Sequence, residues 1–189
     1  MKYLDHNPDT LWKEIKKEFP RAKVVNKEKS WFMKIIFTPL SWITGVNYID
    51  NFVTTILFTV YVPPNWIIPS EYSNYRKFST LRHEREHMRQ FRKWPFGKYF
   101  WWINPILMGV CYILILPIYL TMRCHFEKAG YTQNMLSSYE KNGSIIYANW
   151  EKSLVPIFCG PKYAWMSTEK RFKKWLKQTV TDIQLGKIK

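Results

Sequence analysis

Five consecutive residues, His83-Glu84-Arg85-Glu86-His87, have the spacing of a metal-binding helix. Because four residues make about one helical turn, the two imidazoles project side by side from one face. Glu84 lies about 100° further around the helix, where its carboxylate can reach a water held by the metal. The pattern predicts that His83 and His87 are zinc ligands and that Glu84 is a general base.

Composition rarely produces this pentad by chance, since the 189 residues include only four histidines and ten glutamates. The competing interpretation is a solvated helix, because the run over residues 82–89 alternates charge signs as exposed helices do. The metal-site interpretation is the favoured one.

A catalytic zinc normally takes three protein ligands and leaves a fourth position for water. No third histidine follows the pentad closely, because residues 88–99 contain none. The downstream candidates are one histidine and three glutamates, namely His125, Glu127, Glu140 and Glu151. Spacing and context favour Glu127. His125 is two residues from Glu127, about 200° around a helix, so the two cannot share a face.

The pentad and the sequence Glu127-Lys128-Ala129 together resemble the gluzincins, in which a glutamate from a second helix completes the site opened by H-E-x-x-H. Their glutamate helix commonly carries a small residue just after the ligand, as here. The resemblance implies Zn²⁺ as cofactor, Glu127 as third ligand and a zinc metallopeptidase that hydrolyses peptide bonds. The chain is also similar to short metallopeptidase-like proteins of bacteria and their phages. It departs from the peptidase pattern because no histidine or tyrosine that would stabilise the oxyanion is identified.

The composition bounds the class of protein and its partners. A hydrophobic content of 47% and an aromatic content of 18% exclude a predominantly disordered chain. The net charge of +15 implies an acidic partner, which can be an acidic protein or peptide substrate, nucleic acid or an anionic membrane surface. A non-catalytic basic module that binds nucleic acid is therefore the alternative function.

Cysteine usage and the first residues bear on the cellular location. The three cysteines are far apart and form no C-x-x-C pair, so neither a zinc ribbon nor a disulfide framework is indicated. The first residues lack the apolar run of a secretory signal peptide. The predicted location is the cytoplasm, or the virion or infected cell for a phage protein.

Residues 100–122 contain no charge and are long enough to cross a membrane as a helix. A single crossing would place Glu127 on the opposite side of the membrane from His83 and His87, and the site could not assemble. A buried or partially inserted hairpin is therefore favoured over a span, and a membrane-associated protein that uses residues 100–122 stays open as an alternative.

Hydrophobic periodicity predicts an α+β protein. The sequence has no internal repeat, no low-complexity segment and no linker rich in glycine or serine, which indicates a single compact domain over residues 1–189. The predicted elements are a helix capped by Asp9, strands over residues 22–25, 31–37 and 52–62, helices over about 78–94 and 122–141, and a final helix capped by Ser167. The resemblance to gluzincins implies a small zincin-like fold, in which a short sheet is followed by the metal-motif helix and the glutamate helix. The apolar hairpin lies between these two helices.

Overall fold

The computed structural model describes residues 6–45, 47–93, 116–160 and 165–188. The protein is mixed α+β and mostly helical, with one three-stranded sheet in the described residues, and this confirms the predicted class. The chain divides into an N-terminal unit, Asp5–Phe91, and a C-terminal unit made mainly of Arg92–Lys189. The prediction of one domain over residues 1–189 stays a prediction, since two units can belong to one domain or to two.

The N-terminal unit contains the sheet and the metal-motif helix. Its elements are α1 (Pro8–Glu18), β1 (Lys23–Asn26), α2 (Trp31–Thr44), α3 (Tyr48–Asn51), β2 (Thr54–Ile56), β3 (Thr59–Val62) and α4 (Asn74–Lys93), with 3₁₀ turns at Lys27–Lys29 and Pro64–Ile67. The strand order is β1-β3-β2, with β1 parallel and β2 antiparallel to β3. Val60 and Val62 of the central strand are buried, because alternate side chains of a strand point to one face.

The first helix is confirmed, but its cap is Asn7 and the prediction of Asp9 was wrong. The Asn7 side-chain oxygen accepts hydrogen bonds from the backbone N–H groups of Asp9 and Thr10. Asp9 lies inside the first turn, where its negative charge is favourable next to the positive end of the helix dipole.

The strand predicted over residues 31–37 is wrong, because this segment begins α2. Ser30 caps the helix through a hydrogen bond of 3.3 Å from the Met33 N–H to the Ser30 hydroxyl oxygen. Gly45 ends it in the left-handed conformation, at φ 68°, which glycine adopts without a steric penalty. These two end signals outweigh the β-branched and aromatic composition that suggested a strand.

The single strand predicted over residues 52–62 is also wrong, since the segment forms two strands, β2 and β3. They are joined by Leu57 and Phe58, and Leu57 has a φ of 58°. Short hairpins usually place glycine or asparagine at such positions, and their absence concealed the turn.

The C-terminal unit is helical in its described residues, with α5 (Leu116–Asn142), α6 (Tyr147–Phe158) and α7 (Glu169–Gln184). Its core includes Phe158 and Phe172, whose rings stack with centroids 4.4 Å apart. α5 contains the predicted glutamate helix and starts earlier than expected, and α6 is additional to the predicted helices. The cap of α7 is Thr168, so the prediction of Ser167 was wrong by one residue.

Most of the apolar segment over residues 100–122 lies outside the described residues. Only residues 116–122 of this segment are described, and they belong to α5. No helix in the described part of the chain combines the length and the hydrophobicity that a membrane crossing requires. The hairpin and the membrane contact through residues 100–122 therefore stay predictions.

Candidate metal centre

The middle of α4 carries the pentad, and its polar residues are enclosed. His83, Glu84 and Arg85 are buried, and Met88, one turn after Glu84, is fully buried. A solvated helix would leave these side chains in water, because charged groups are rarely buried unless they are paired or bind metals. Their burial therefore contradicts the solvated-helix interpretation.

The two imidazoles lie side by side on α4, as the spacing predicts. The Nε2 atoms of His83 and His87 are 3.0 Å apart, and the ring centroids are 4.8 Å apart. Two ring nitrogens at this separation either share a proton or direct their lone pairs towards one cation. The geometry therefore suits a shared metal ion.

A hydrogen bond to Gln90 determines which nitrogen of His87 carries the proton. His87 Nδ1 lies 3.0 Å from Gln90 Oε1, and a carbonyl oxygen can only accept. Nδ1 therefore donates, and Nε2 keeps the lone pair that a metal ligand needs. Gln90 was not predicted from the sequence, although its spacing of three residues from His87 places it on the same helix face.

The carboxylate of Glu84 is buried, and its Oε2 atom has no hydrogen-bond partner among the described residues. An unsatisfied buried acceptor costs about 1–3 kcal/mol, and more when it is charged. Such atoms are rare in folded proteins and are typical of sites that bind a ligand or move a proton. One buried carboxylate oxygen of Glu84 is therefore available to a ligand or a proton, and its role as a general base stays a prediction.

Lys27 is a fully buried cation in the same unit, and its ammonium is held by three oxygens. Nζ donates to the backbone carbonyls of Tyr48 at 2.9 Å and Phe52 at 2.8 Å, and to the Thr54 hydroxyl at 2.9 Å. These hydrogen bonds attach the 3₁₀ turn after β1 to the chain that leads into β2.

The charge of Lys27 also acts on the pentad. Burial lowers the pKa of Lys27 to about 8, and the carboxylates of Glu84 and Asp50 oppose this shift. Lys27 was not predicted from the sequence, because a lysine in a basic segment is usually a solvated surface charge.

Arg85 of the pentad and Arg89, two residues after it, attach α4 to α1. Arg85 donates to Glu18 at 2.8 Å and to Glu14 at 3.1 Å, and Arg89 donates to Glu18 at 2.9 Å. Burial alone would raise the pKa of Glu18, but the hydrogen bonds from Arg89 and Arg85 lower it to about 2. We call Glu14, Glu18, Arg85 and Arg89 the arginine clamp. It fixes the rotation of α4 and so the direction in which both imidazoles point.

The predicted third ligand, Glu127, is a half-buried residue of α5 in the C-terminal unit. Of the other candidate ligands, His125 is exposed. Glu151 forms an ion pair with Lys173, with 2.8 Å between Glu151 Oε1 and Lys173 Nζ. Glu140 is half-buried near the end of α5. The assignment of Glu127 stays a prediction.

Two imidazoles and one carboxylate form a donor set that zinc accepts in catalytic sites, and the convergence of the two Nε2 atoms fits such an ion. Comparisons of the chain with protein-family models, curated proteins and solved structures found no match. The resemblance to gluzincins therefore depends on the pentad and on the sequence around Glu127 alone.

Proposed function

We propose that the chain is a zinc-dependent endopeptidase in which His83, His87 and Glu127 bind one Zn²⁺ ion and Glu84 is the general base. The observation that carries this proposal is the arrangement on α4. Two imidazole nitrogens 3.0 Å apart lie on the same helix as a buried carboxylate oxygen that has no hydrogen-bond partner in the described part of the chain. A zincin-like fold is part of the same proposal, because the short sheet precedes the metal-motif helix and the glutamate helix follows it along the chain.

When bound, zinc acts as a Lewis acid that polarises a peptide carbonyl and brings the pKa of a water close to neutral. His83 and His87 would hold the ion as neutral imidazoles, and Gln90 keeps His87 in the required tautomer. Glu127 would be the third ligand and would add a single negative charge.

Glu84 moves the proton. Its Oε2 atom accepts a proton from the attacking water and returns it to the leaving amine. Lys27 offsets part of the cost of burying this carboxylate, since the two charges attract. The net charge of +15 favours acidic peptides as substrates, because the positive potential concentrates them around the protein.

Zinc content tests the two histidine ligands. We expect about one zinc per chain after purification in zinc-replete buffer, and loss of that zinc in His83→Ala and His87→Ala. The measurement is elemental analysis of each variant beside the wild type. A wild type that takes up no zinc would overturn the proposal.

The choice of Glu127 is tested by comparing matched variants of α5. Glu127→Ala should weaken zinc binding strongly, and Glu140→Ala, on the same helix, should leave it unchanged. A zinc titration against a competing chelator measures both. Equal zinc affinities for the wild type and the Glu127 variant would show that another group is the third ligand.

A further inference from the structure

The helix α2 presents large apolar side chains to solvent. Trp31 is 73% exposed, Ile35 is 63% exposed and Trp42 is 83% exposed. At about 100° per residue these three positions fall within an arc of about 40°, so they form one stripe along the helix. We call Trp31, Ile35 and Trp42 the α2 stripe. Exposed apolar stripes of this kind mark interaction surfaces.

The α2 stripe points away from the core of its own unit. Met33, which is about 200° around the helix from Trp31, is fully buried. Both helix ends are fixed, by the Ser30 cap and by the bond of 2.9 Å from the Gly45 N–H to the Ser41 carbonyl. The stripe therefore lies on a helix that is anchored from its opposite side.

The chain around α2 is basic. Residues 21–47 contain five lysines and arginines, of which Lys27 is buried, and a single acidic residue. Lys34 is the one charged residue inside the helix, and Lys23 and Lys29 are exposed on the segment before it. The surface thus combines an apolar stripe with positive charge.

We propose that α2 docks the protein on anionic lipid bilayers, with the α2 stripe inserted between the lipid headgroups. Tryptophan is enriched at the membrane–water interface, where its ring meets both apolar and polar surroundings, and the stripe has one tryptophan near each end. The lysines and arginines around α2 match the negative charge of the headgroups. A second copy of this chain is a poor occupant, because it would bring another charge of +15 against the first.

The length of α2 determines its orientation relative to the bilayer. Its 14 residues span about 21 Å, less than the roughly 30 Å of a bilayer's hydrocarbon core. The helix therefore lies parallel to the membrane, and its apolar face enters the headgroup region to a depth of about 5–10 Å.

Co-sedimentation of the full chain with lipid vesicles tests the proposal. The vesicles are made of phosphatidylcholine alone or of phosphatidylcholine mixed with phosphatidylserine. We expect the wild type to bind the mixed vesicles more tightly than the neutral ones. The double variant Trp31→Gln, Trp42→Gln should lose about tenfold or more of its partitioning into mixed vesicles, because it keeps the charge and loses the apolar anchors.

Trp165→Gln is the matched control, since Trp165 is similarly exposed, at 66%, but belongs to the C-terminal unit. It should bind the mixed vesicles as the wild type does, and circular dichroism should show an unchanged helix content for every variant. Equal binding by the double variant, or no binding by the wild type, would overturn the proposal. It would also be overturned if the wild type were a dimer in sedimentation velocity and the double variant a monomer, because the stripe would then be a protein interface.

Discussion

The orientation of His87 depends on one hydrogen bond, from its Nδ1 to Gln90 Oε1. Gln90→Ala removes this acceptor and lets the Nε2-protonated tautomer form, whose Nε2 has no lone pair for the metal. We expect the zinc affinity to fall about 10–100-fold, as is usual when a partner of a ligating histidine is lost. A competition titration with a chromophoric chelator at neutral pH measures the affinity.

Gln178→Ala is the control for this variant, because Gln178 is a helical glutamine that bonds Asp182 in the C-terminal unit. Its zinc affinity should equal that of the wild type. If the Gln90 variant also bound zinc like the wild type, the hydrogen bond would not be what orients His87.

The buried Lys27 leads to a second prediction at the scale of one residue, on how the free energy of unfolding depends on pH. Burial lowers the pKa of Lys27 from 10.5 to about 8, so the folded state releases this proton before the unfolded state does. The free energy of unfolding of the wild type should therefore rise, relative to Lys27→Met, by about 3 kcal/mol as the pH increases from 8 to 10.5. Urea unfolding across this range measures the difference.

The exposed neighbour Lys29 provides the comparison for Lys27. Lys29→Met should follow the pH dependence of the wild type. Parallel pH profiles for the wild type and the Lys27 variant would contradict the prediction and show that the folded state does not depress the pKa of Lys27.

At the scale of elements, the arginine clamp holds α4 against α1. Its central carboxylate, Glu18, has its pKa lowered from 4.5 to about 2. Glu18 therefore contributes stability that is fully present above about pH 4.5 and is lost as the pH falls through 2. Glu18→Gln should reduce the free energy of unfolding by up to about 3 kcal/mol at neutral pH. Relative to the wild type, this deficit should shrink towards pH 2.

Urea unfolding between pH 2 and 7 measures this effect, with the exposed Glu28→Gln as control. The control should differ little from the wild type at every pH. A deficit of the Glu18 variant that stayed constant with pH would mean that the carboxylate charge is not what stabilises the α1–α4 contact.

Elements with clear hydrophobic periodicity were predictable from the sequence, and those whose composition or turn residues are atypical were not. α1 and α4 were predicted because apolar residues recur at helical spacing and a proline follows each helix. α2 was predicted as a strand because its composition is β-branched and aromatic, and its helical ends depend on Ser30 and Gly45. The turn between β2 and β3 was missed because Leu57 takes a positive φ without glycine.

Some features of the candidate site were also predictable from the sequence, and others were not. Helical spacing predicts the side-by-side histidines and the position of Glu84. The same spacing would also have placed Gln90 beside His87. The burial of Lys27 does not follow from helical spacing, because its three acceptors lie 21 to 27 residues further along the chain. Only the folded chain brings them to one ammonium.

At the scale of the whole molecule, the net charge of +15 contributes to both proposed interactions, with substrate and with lipid. It attracts acidic peptides towards the chain, and it attracts the chain towards anionic lipid. Both attractions should weaken as salt rises, since the Debye length falls to about 3 Å at 1 M. The insertion of the α2 stripe is apolar and should resist salt more than the capture of substrate does.

The most direct test of the central claim is cleavage of a peptide library that includes acidic sequences by the zinc-loaded wild type and by Glu84→Gln. The zinc occupancy of the two proteins is matched, and the products are read by mass spectrometry. The wild type should hydrolyse peptides. The variant should keep its zinc and its fold and lose activity by about a hundredfold or more, because the amide cannot accept the proton. Cleavage by the variant at the rate of the wild type, or no cleavage by the wild type, would contradict the account.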